Sequence, residues 1–338
     1  MRLEKRTEVS PLALLLAPIA AVAFTLLVTS LLVLWAGAPI LPTWAALLRG
    51  GFGSVFAWSE TLTRATPLIL TGLAVTVAFK ARLFNIGAEG QLYAGALAAV
   101  AVGGMHGGSG FDLPPALLFV LMLAAAALAG ALLLLGPALM KARLGVDEVV
   151  TTLLLNFIVL LGVSALLDGA MKDPTAMGWP QSVALVPDLE LSKLVTGTRV
   201  HTGLLAGVGL AALFWAFFKY TLPGFEIRAT GANARAAAFA GVPVTRTVVM
   251  VALLSGALAG LAGAVEVAGR TGYLTLDMSP GYGYTGIVIA MLAALHPLAV
   301  VAAAIFVAGV LVGADSMSRA MGVPTYIADV IVAASLIS

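Results

Sequence analysis

Residues 223–246, PGFEIRATGANARAAAFAGVPVTR, form a polar island between two long apolar runs. A segment of this composition belongs in water, so the runs on either side of it, about 203–218 and 248–268, are expected to cross a membrane as helices. Within the island, Asn233 to Ala240 has an Ala-rich helical composition. Gly231 and Gly241 stand where such a short helix would start and stop. Arg228, Arg235 and Arg246 make the segment basic, which places it on the cytoplasmic side. The same composition also suits an ordinary basic loop between two spans.

Composition extends this reading to the whole chain. The hydrophobic fraction is 61%, the charged fraction 10% and the mean hydropathy +1.07, against roughly 45–50% apolar and about 25% charged in soluble domains. The fold class expected is all-α, a polytopic membrane protein. A formal charge of +2 is too small to argue for nucleic acid as a partner. With no cysteine there is neither a disulfide framework nor a thiolate nucleophile. His106, His201 and His296 are far apart and form no metal-ligand spacing. The sequence contains no G-x-x-x-x-G-K-[ST] phosphate loop and no G-x-S-x-G elbow. The chain is therefore expected to bind no cofactor or metal itself and to have no catalytic residues.

Taken in order, the first apolar run, Leu12 to about Ala38, is too long for a signal-peptide core and reads as a retained span. Residues 39–60 read as an interfacial connection rich in Trp and Gly. Further spans are expected at Leu62–Phe79, Leu92–Val102, Ala116–Met140, Glu148–Leu167, Gly203–Phe218 and Val248–Ala268, with runs at Thr285–Leu295, Val300–Gly313 and from Tyr326 to the end. That makes about ten helices in a single domain, 1–338, with an ordered outer loop at 171–200 and a cytoplasmic segment at 221–246. Arg2, Lys5, Arg6, Lys80, Arg82, Lys141, Arg143, Lys219, Arg228, Arg235 and Arg246, eleven of eighteen basic residues, fall on the inner side if the N-terminus is cytoplasmic. The last run is short of a span, as expected of a chain that lacks a cytoplasmic tail. In the seventh span Gly256, Gly260 and Gly263 give spacings that permit close helix packing in lipid.

Three motifs carry polar chemistry into this apolar background. FNIGAEGQ, residues 84–91, sets Asn85, Glu89 and Gln91 between two apolar runs, with Gly87 and Gly90 breaking the helix. Polar groups and irregular backbone at membrane depth face a cavity or the bundle interior, so this is a candidate for the path of a polar solute; an inner-side turn is the other reading. Glu148, Thr152 and Asn156 are four apart and share one helix face, where they either bind a solute or bond a neighbouring helix. In SPGYGYTG, residues 279–286, the rings of Tyr282 and Tyr284 suit stacking against a base or sugar, or anchoring at the membrane interface. Glu266 and Asp277 are single acids expected to pair with Arg270 or to meet water.

Together FNIGAEGQ, EVVTTLLLN, GFEIRATGANARAAAFAG and SPGYGYTGIVIAMLA followed by His296-Pro297-Leu298 resemble the transmembrane permease of bacterial nucleoside ABC importers, a branch of the ribose and branched-chain amino-acid permease family. The resemblance runs from about Thr61 to Ile331. It implies a subunit of the bacterial cytoplasmic membrane that moves nucleosides inward by alternating access. The implied partners are a cytoplasmic ABC ATPase that holds the ATP, a second permease subunit and an extracytoplasmic nucleoside-binding protein. It also implies that Arg228, Gly231, Asn233, Arg235, Ala237 and Gly241 belong to a coupling helix seated on the ATPase. A ribose-type sugar permease and, further off, an ion-coupled secondary transporter are the alternatives.

Overall fold

The computed structural model describes residues 24, 26–104, 113–327 and 330. Most of the first expected span, His106 with most of its turn, and the greater part of the final run lie outside these. Among the described residues there are twelve α-helices: α1 (Leu26–Trp35), α2 (Ile40–Phe52), α3 (Val55–Lys80), α4 (Ala88–Gly103), α5 (Pro115–Leu144), α6 (Glu148–Asp168), α7 (Gly203–Tyr220), α8 (Leu222–Ala232), α9 (Ala234–Phe239), α10 (Val244–Glu266), α11 (Tyr282–Leu292) and α12 (Pro297–Met321). A π-helical turn, Val267–Thr271, extends α10. Six helices are long and apolar enough to cross a membrane, and a seventh is gained if the bent pair α1 and α2 counts as one span. Twelve helices among the described residues are roughly consistent with the about ten expected.

The chain divides into two compact units, one of Met1–Trp58 with Gly309–Ser338 and one of Ser59–Ala308. In the first unit, the helical pair bends by 112° between α1 and α2. Here the expected interfacial connection at 39–60 is corrected: it is mostly helix. Thr43, Leu47 and Gly51, four apart, make the buried stripe of α2. Gly51 lies against the Gly309 carbonyl, and Gly313 against that of Leu47. These glycines are contact points between helices rather than marks of a loop, which composition alone cannot distinguish.

In the second unit α4 is the central helix. It packs against α5, α6, α10 and α11 and buries most of its residues, including Glu89, Gln91 and Tyr93. Its close packing comes from small residues. A Cβ added at Gly95 would collide with the Gly260 backbone, one at Gly130 with Gly256, one at Gly260 with Ala126 and one at Gly263 with Leu92. Helices α4, α5 and α10 thus touch backbone to backbone, the arrangement that drives association in lipid where hydrophobicity cannot. The outer faces of α5, α6 and α7 carry exposed Leu132, Phe157, Ile158, Leu161, Leu205 and Leu213, an apolar surface suited to acyl chains.

The 171–200 segment packs against the turn that follows α10. It is held by bonds from Ser182 N–H to the Leu274 carbonyl (3.0 Å), Leu185 N–H to Gly272 (2.8 Å) and Leu191 N–H to Ala268 (2.9 Å). His201 closes it with a buried ring, for which Gly203 and Gly269 leave room. Neither ring nitrogen has a hydrogen-bond partner among the described residues. Burial lowers its pKa from 6.5 to about 4.

Two outcomes follow from this packing. Gly260→Ile should lower the unfolding temperature in detergent sharply, because overpacking costs about 1–3 kcal/mol even where side chains can yield and here the obstacle is backbone. Gly136→Ala, with open space around it, should leave the midpoint within about 2 °C. For His201, an opened loop takes up the proton before the docked loop does. Docking should therefore be fully favoured above about pH 6.5 and weaken as the pH falls toward 4. Amide exchange of residues 182–194, corrected for its intrinsic rate, should speed up over that window, and His201→Phe should flatten the change.

Candidate functional site

The segment between α3 and α4 is non-helical although both helices lie inside the bundle, so its backbone groups need partners. Helix α6 supplies them. Phe84 N–H donates to Glu148 Oε1 (3.0 Å), Ile86 N–H to Thr152 Oγ1 (3.2 Å) and Gly90 N–H to Asn156 Oδ1 (2.8 Å). Asn156 Nδ2 returns a bond to the Ile86 carbonyl (2.9 Å). One polar residue per turn of α6 thus reads one strip of irregular backbone. Lys141 pairs with Glu148 and donates to the Arg82 carbonyl (2.7 Å), tying the end of α5 to the same place.

On the other side of the segment, Asn85 and Gln91 exchange amide bonds at 2.9 and 2.8 Å. Asn85 Oδ1 also accepts from Gly87 N–H (2.9 Å), and its Nδ2 donates to Ser255 Oγ (3.1 Å). The Ser255 hydroxyl donates to the Ala74 carbonyl at 2.7 Å. Glu89 meets the start of α11: its Oε2 accepts from Gly283 N–H at 2.6 Å, a carboxylate at the positive end of a helix. Gly281, at φ 86°, turns the chain into α11, and a side chain at Gly283 would collide with the Glu89 backbone. Glu89 therefore caps α11.

Six of the expected path residues, Asn85, Glu89, Gln91, Thr152, Asn156 and Tyr284, are thus gathered around one break, with Tyr284 accepting from Asn156 Nδ2 at 3.1 Å. The two tyrosines part company. Tyr284 is 36% exposed, whereas Tyr282 is 1% exposed and accepts from Arg270 Nη1 at 3.2 Å. Ser255 and Lys141 were missed in the sequence; a serine in an apolar helix and a lysine at a helix end give no signal of a contact so far along the chain.

The 223–246 island holds two helices rather than one. Asn233 caps α9, its Oδ1 accepting from the N–H groups of Arg235 (3.0 Å) and Ala236 (3.1 Å), and Gly241 ends the turn at φ 88°. Gly231 is a correction: it lies inside α8, where it faces the Lys80 carbonyl so closely that no Cβ fits. Ala237 is buried, whereas Arg228 and Arg235 are exposed. Phe239, passed over in the sequence, is 96% exposed. A cleft of about 360 Å³ lined by Ala81, Arg82, Lys141, Thr230, Ala234 and Thr245 joins this corner to the break.

Asn156→Leu should orphan the Gly90 N–H and the Ile86 carbonyl, each costing about 1–3 kcal/mol, and lower the unfolding midpoint in detergent by several degrees. Tyr284→Phe, which removes one partly exposed acceptor, should cost less than about 1 kcal/mol by the same measurement.

Residues 57–338 match the family described as branched-chain amino acid transport system / permease component. The guanosine ABC transporter permease protein NupP of Bacillus subtilis is 35% identical over 327 residues, spanning 96% of this chain and 92% of its own. The glucose ABC transporter permease protein TsgB13 of Haloferax volcanii is 38% identical over 328 residues, spanning 87% and 84%. The nucleoside ABC transporter permease protein NupB of Lactococcus lactis is 29% identical over 327 residues, spanning 94% and 88%. A match of this extent, on a bundle of membrane-length helices enclosing a polar break, shows that the chain belongs to the branched-chain amino acid transport system permease family, as a multi-pass membrane transport subunit.

Proposed function

We propose that the chain is a permease subunit of an ATP-driven importer that moves nucleosides inward across the cytoplasmic membrane by alternating access. The observation that carries this reading is the contact of Gly231 with the Lys80 carbonyl. It sets the exposed α8–α9 corner directly against the end of α3, where the polar break begins. A push on α9 would reach the break through backbone rather than through flexible side chains, as a rigid-body switch requires. Guanosine and nucleosides stand in the names of two of the relatives and glucose in a third; a ribose-type sugar is the less favoured solute. The ring of Tyr284 beside Asn156 suits a base.

In this reading the whole chain acts as one permease domain with a cytoplasmic N-terminus, and it works with a second permease subunit and an extracytoplasmic nucleoside-binding protein. ATP stays on a separate cytoplasmic ATPase that receives α9. Asn85, Glu89, Gln91, Thr152 and Asn156 hold the break in shape beside the path. Arg228 and Arg235 steer the ATPase, Phe239 fills a pocket on it, and Gly231, Asn233, Ala237 and Gly241 keep the corner rigid.

Proteoliposomes with the full set of subunits should accumulate labelled guanosine only with ATP and the ATPase present; accumulation without the ATPase would sink the proposal in favour of an ion-coupled carrier. Phe239→Asp should weaken ATPase binding at least about tenfold, as losing a buried aromatic anchor does, and leave the permease's own unfolding midpoint unchanged.

A further inference from the structure

A second polar cluster lies along the same helices, away from the break. Helix α3 carries Glu60 and Arg64 near its start and ends at Lys80 beside Gly231. Helix α10 starts at Val244 beyond α9 and ends at Glu266, where the π turn carries Arg270. The cluster thus sits at the end of these helices opposite the α8–α9 corner. Arg270 Nη1 donates to Glu266 Oε1 (2.5 Å) and to the Tyr282 hydroxyl (3.2 Å). Arg199, on the 171–200 loop, reaches Glu60 Oε2 at 3.6 Å. Arg270 also feels the charge of Glu60, and Glu266 that of Arg64.

Two features go beyond a structural ion pair. The Glu266 side chain is 0% exposed, yet its Oε2 accepts no hydrogen bond among the described residues, and neither does the buried Oε1 of Glu60. Each unmade bond costs about 1–3 kcal/mol, and buried carboxylates are normally saturated. Further, Arg64 lies about 14 Å along α3 from its start and is only partly buried, as are Glu60 and Arg270. Charged groups at that depth do not face lipid; they face the bundle interior, where they pair with one another, or a water-filled path.

We propose that Glu60, Glu266 and Arg270, with Arg64 beside them, form a solute-recognition site at the end of the path opposite the α8–α9 corner. The two unengaged carboxylate oxygens accept N–H or O–H donors of a neutral nucleoside, and Arg270 and Tyr282 hold Glu266 in place. The assignment rests on the nucleoside reading above and adds the contacts that select the solute. The ribose 2′-hydroxyl and the exocyclic amine of the base are the donors assigned to these oxygens, and the two are separable by analogues.

The test uses the complete importer in proteoliposomes, with initial uptake of guanosine, 2′-deoxyguanosine and inosine by wild type, Glu60→Gln and Glu266→Gln. A site built to accept donors penalises the ligand that lacks one. Glu60→Gln and Glu266→Gln should raise KM for guanosine at least about fivefold, a loss of one ordinary hydrogen bond. That penalty should shrink below about twofold for 2′-deoxyguanosine if the carboxylates hold the sugar, or for inosine if they hold the exocyclic amine. An equal penalty on all three solutes, or none, overturns the assignment and leaves the cluster as a brace between helices. If Glu266→Gln proves unstable, Glu60→Gln decides, because its exposed partner Arg199 contributes little to stability. Wild-type vesicles that take up none of the three overturn the nucleoside reading itself, and this assignment with it.

Discussion

The contact on which the second unit depends is backbone against backbone between α4, α5 and α10. Lipid removes the hydrophobic drive that holds a soluble core together, so the helices are held by dispersion at close range, and close range requires that nothing protrude. Gly95, Gly130, Gly256, Gly260 and Gly263 provide this, each facing a main-chain atom of a neighbour. With those three helices fixed, α4 can be enclosed with its carboxylate, amide and phenol inside the bundle. An enclosed α4 makes an irregular entry into it possible, because protein and not lipid surrounds the break.

The break is stabilised by an exchange of roles between side chain and backbone. Residues 84–87 have given up the helical ladder and the first turn of α4 has N–H groups without helical partners; α6 serves both with three side chains spaced one turn apart. From the other side Asn85 accepts from the Gly87 N–H and is itself held by Gln91, and the Glu89 carboxyl serves the first turn of α11. These bonds join α4, α6, α10 and α11 at one place. A shift of any of those helices must be felt by the others, as expected where a transporter changes the side to which it opens. The α8–α9 corner reaches the same place through the Gly231 contact, so the water-exposed part of the chain and its most enclosed polar part are joined by main chain.

The two acidic residues of the helix ends show how differently one residue type is used. Glu89 is satisfied by a backbone N–H at the head of α11 and by its place in the bundle. Glu266 has an arginine on one oxygen and, among the described residues, no hydrogen bond on the other. The first has the character of architecture, the second of a group held ready. The difference lies in what stands opposite each oxygen, and no property of glutamate in a sequence predicts it.

The sequence by itself determined the class of the fold and most of its helices, because twenty apolar residues in a row have one stable form in a bilayer and because basic, glycine-rich islands interrupt them at readable intervals. It also singled out the polar residues of 84–91 and of α6, since any polar side chain amid such hydrophobicity is conspicuous. The tertiary structure alone decided what those residues touch: that Glu148, Thr152 and Asn156 serve the backbone of 84–90, that Glu89 heads α11, that Tyr282 is enclosed while Tyr284 is partly exposed, and that residues 40–52 are helix. Each is a contact between residues sixty to nearly two hundred positions apart, or a glycine whose use depends on what lies against it. Local composition carries the cost of leaving water, which acts residue by residue. Partnership depends on which surfaces meet, and that is settled only when the helices pack.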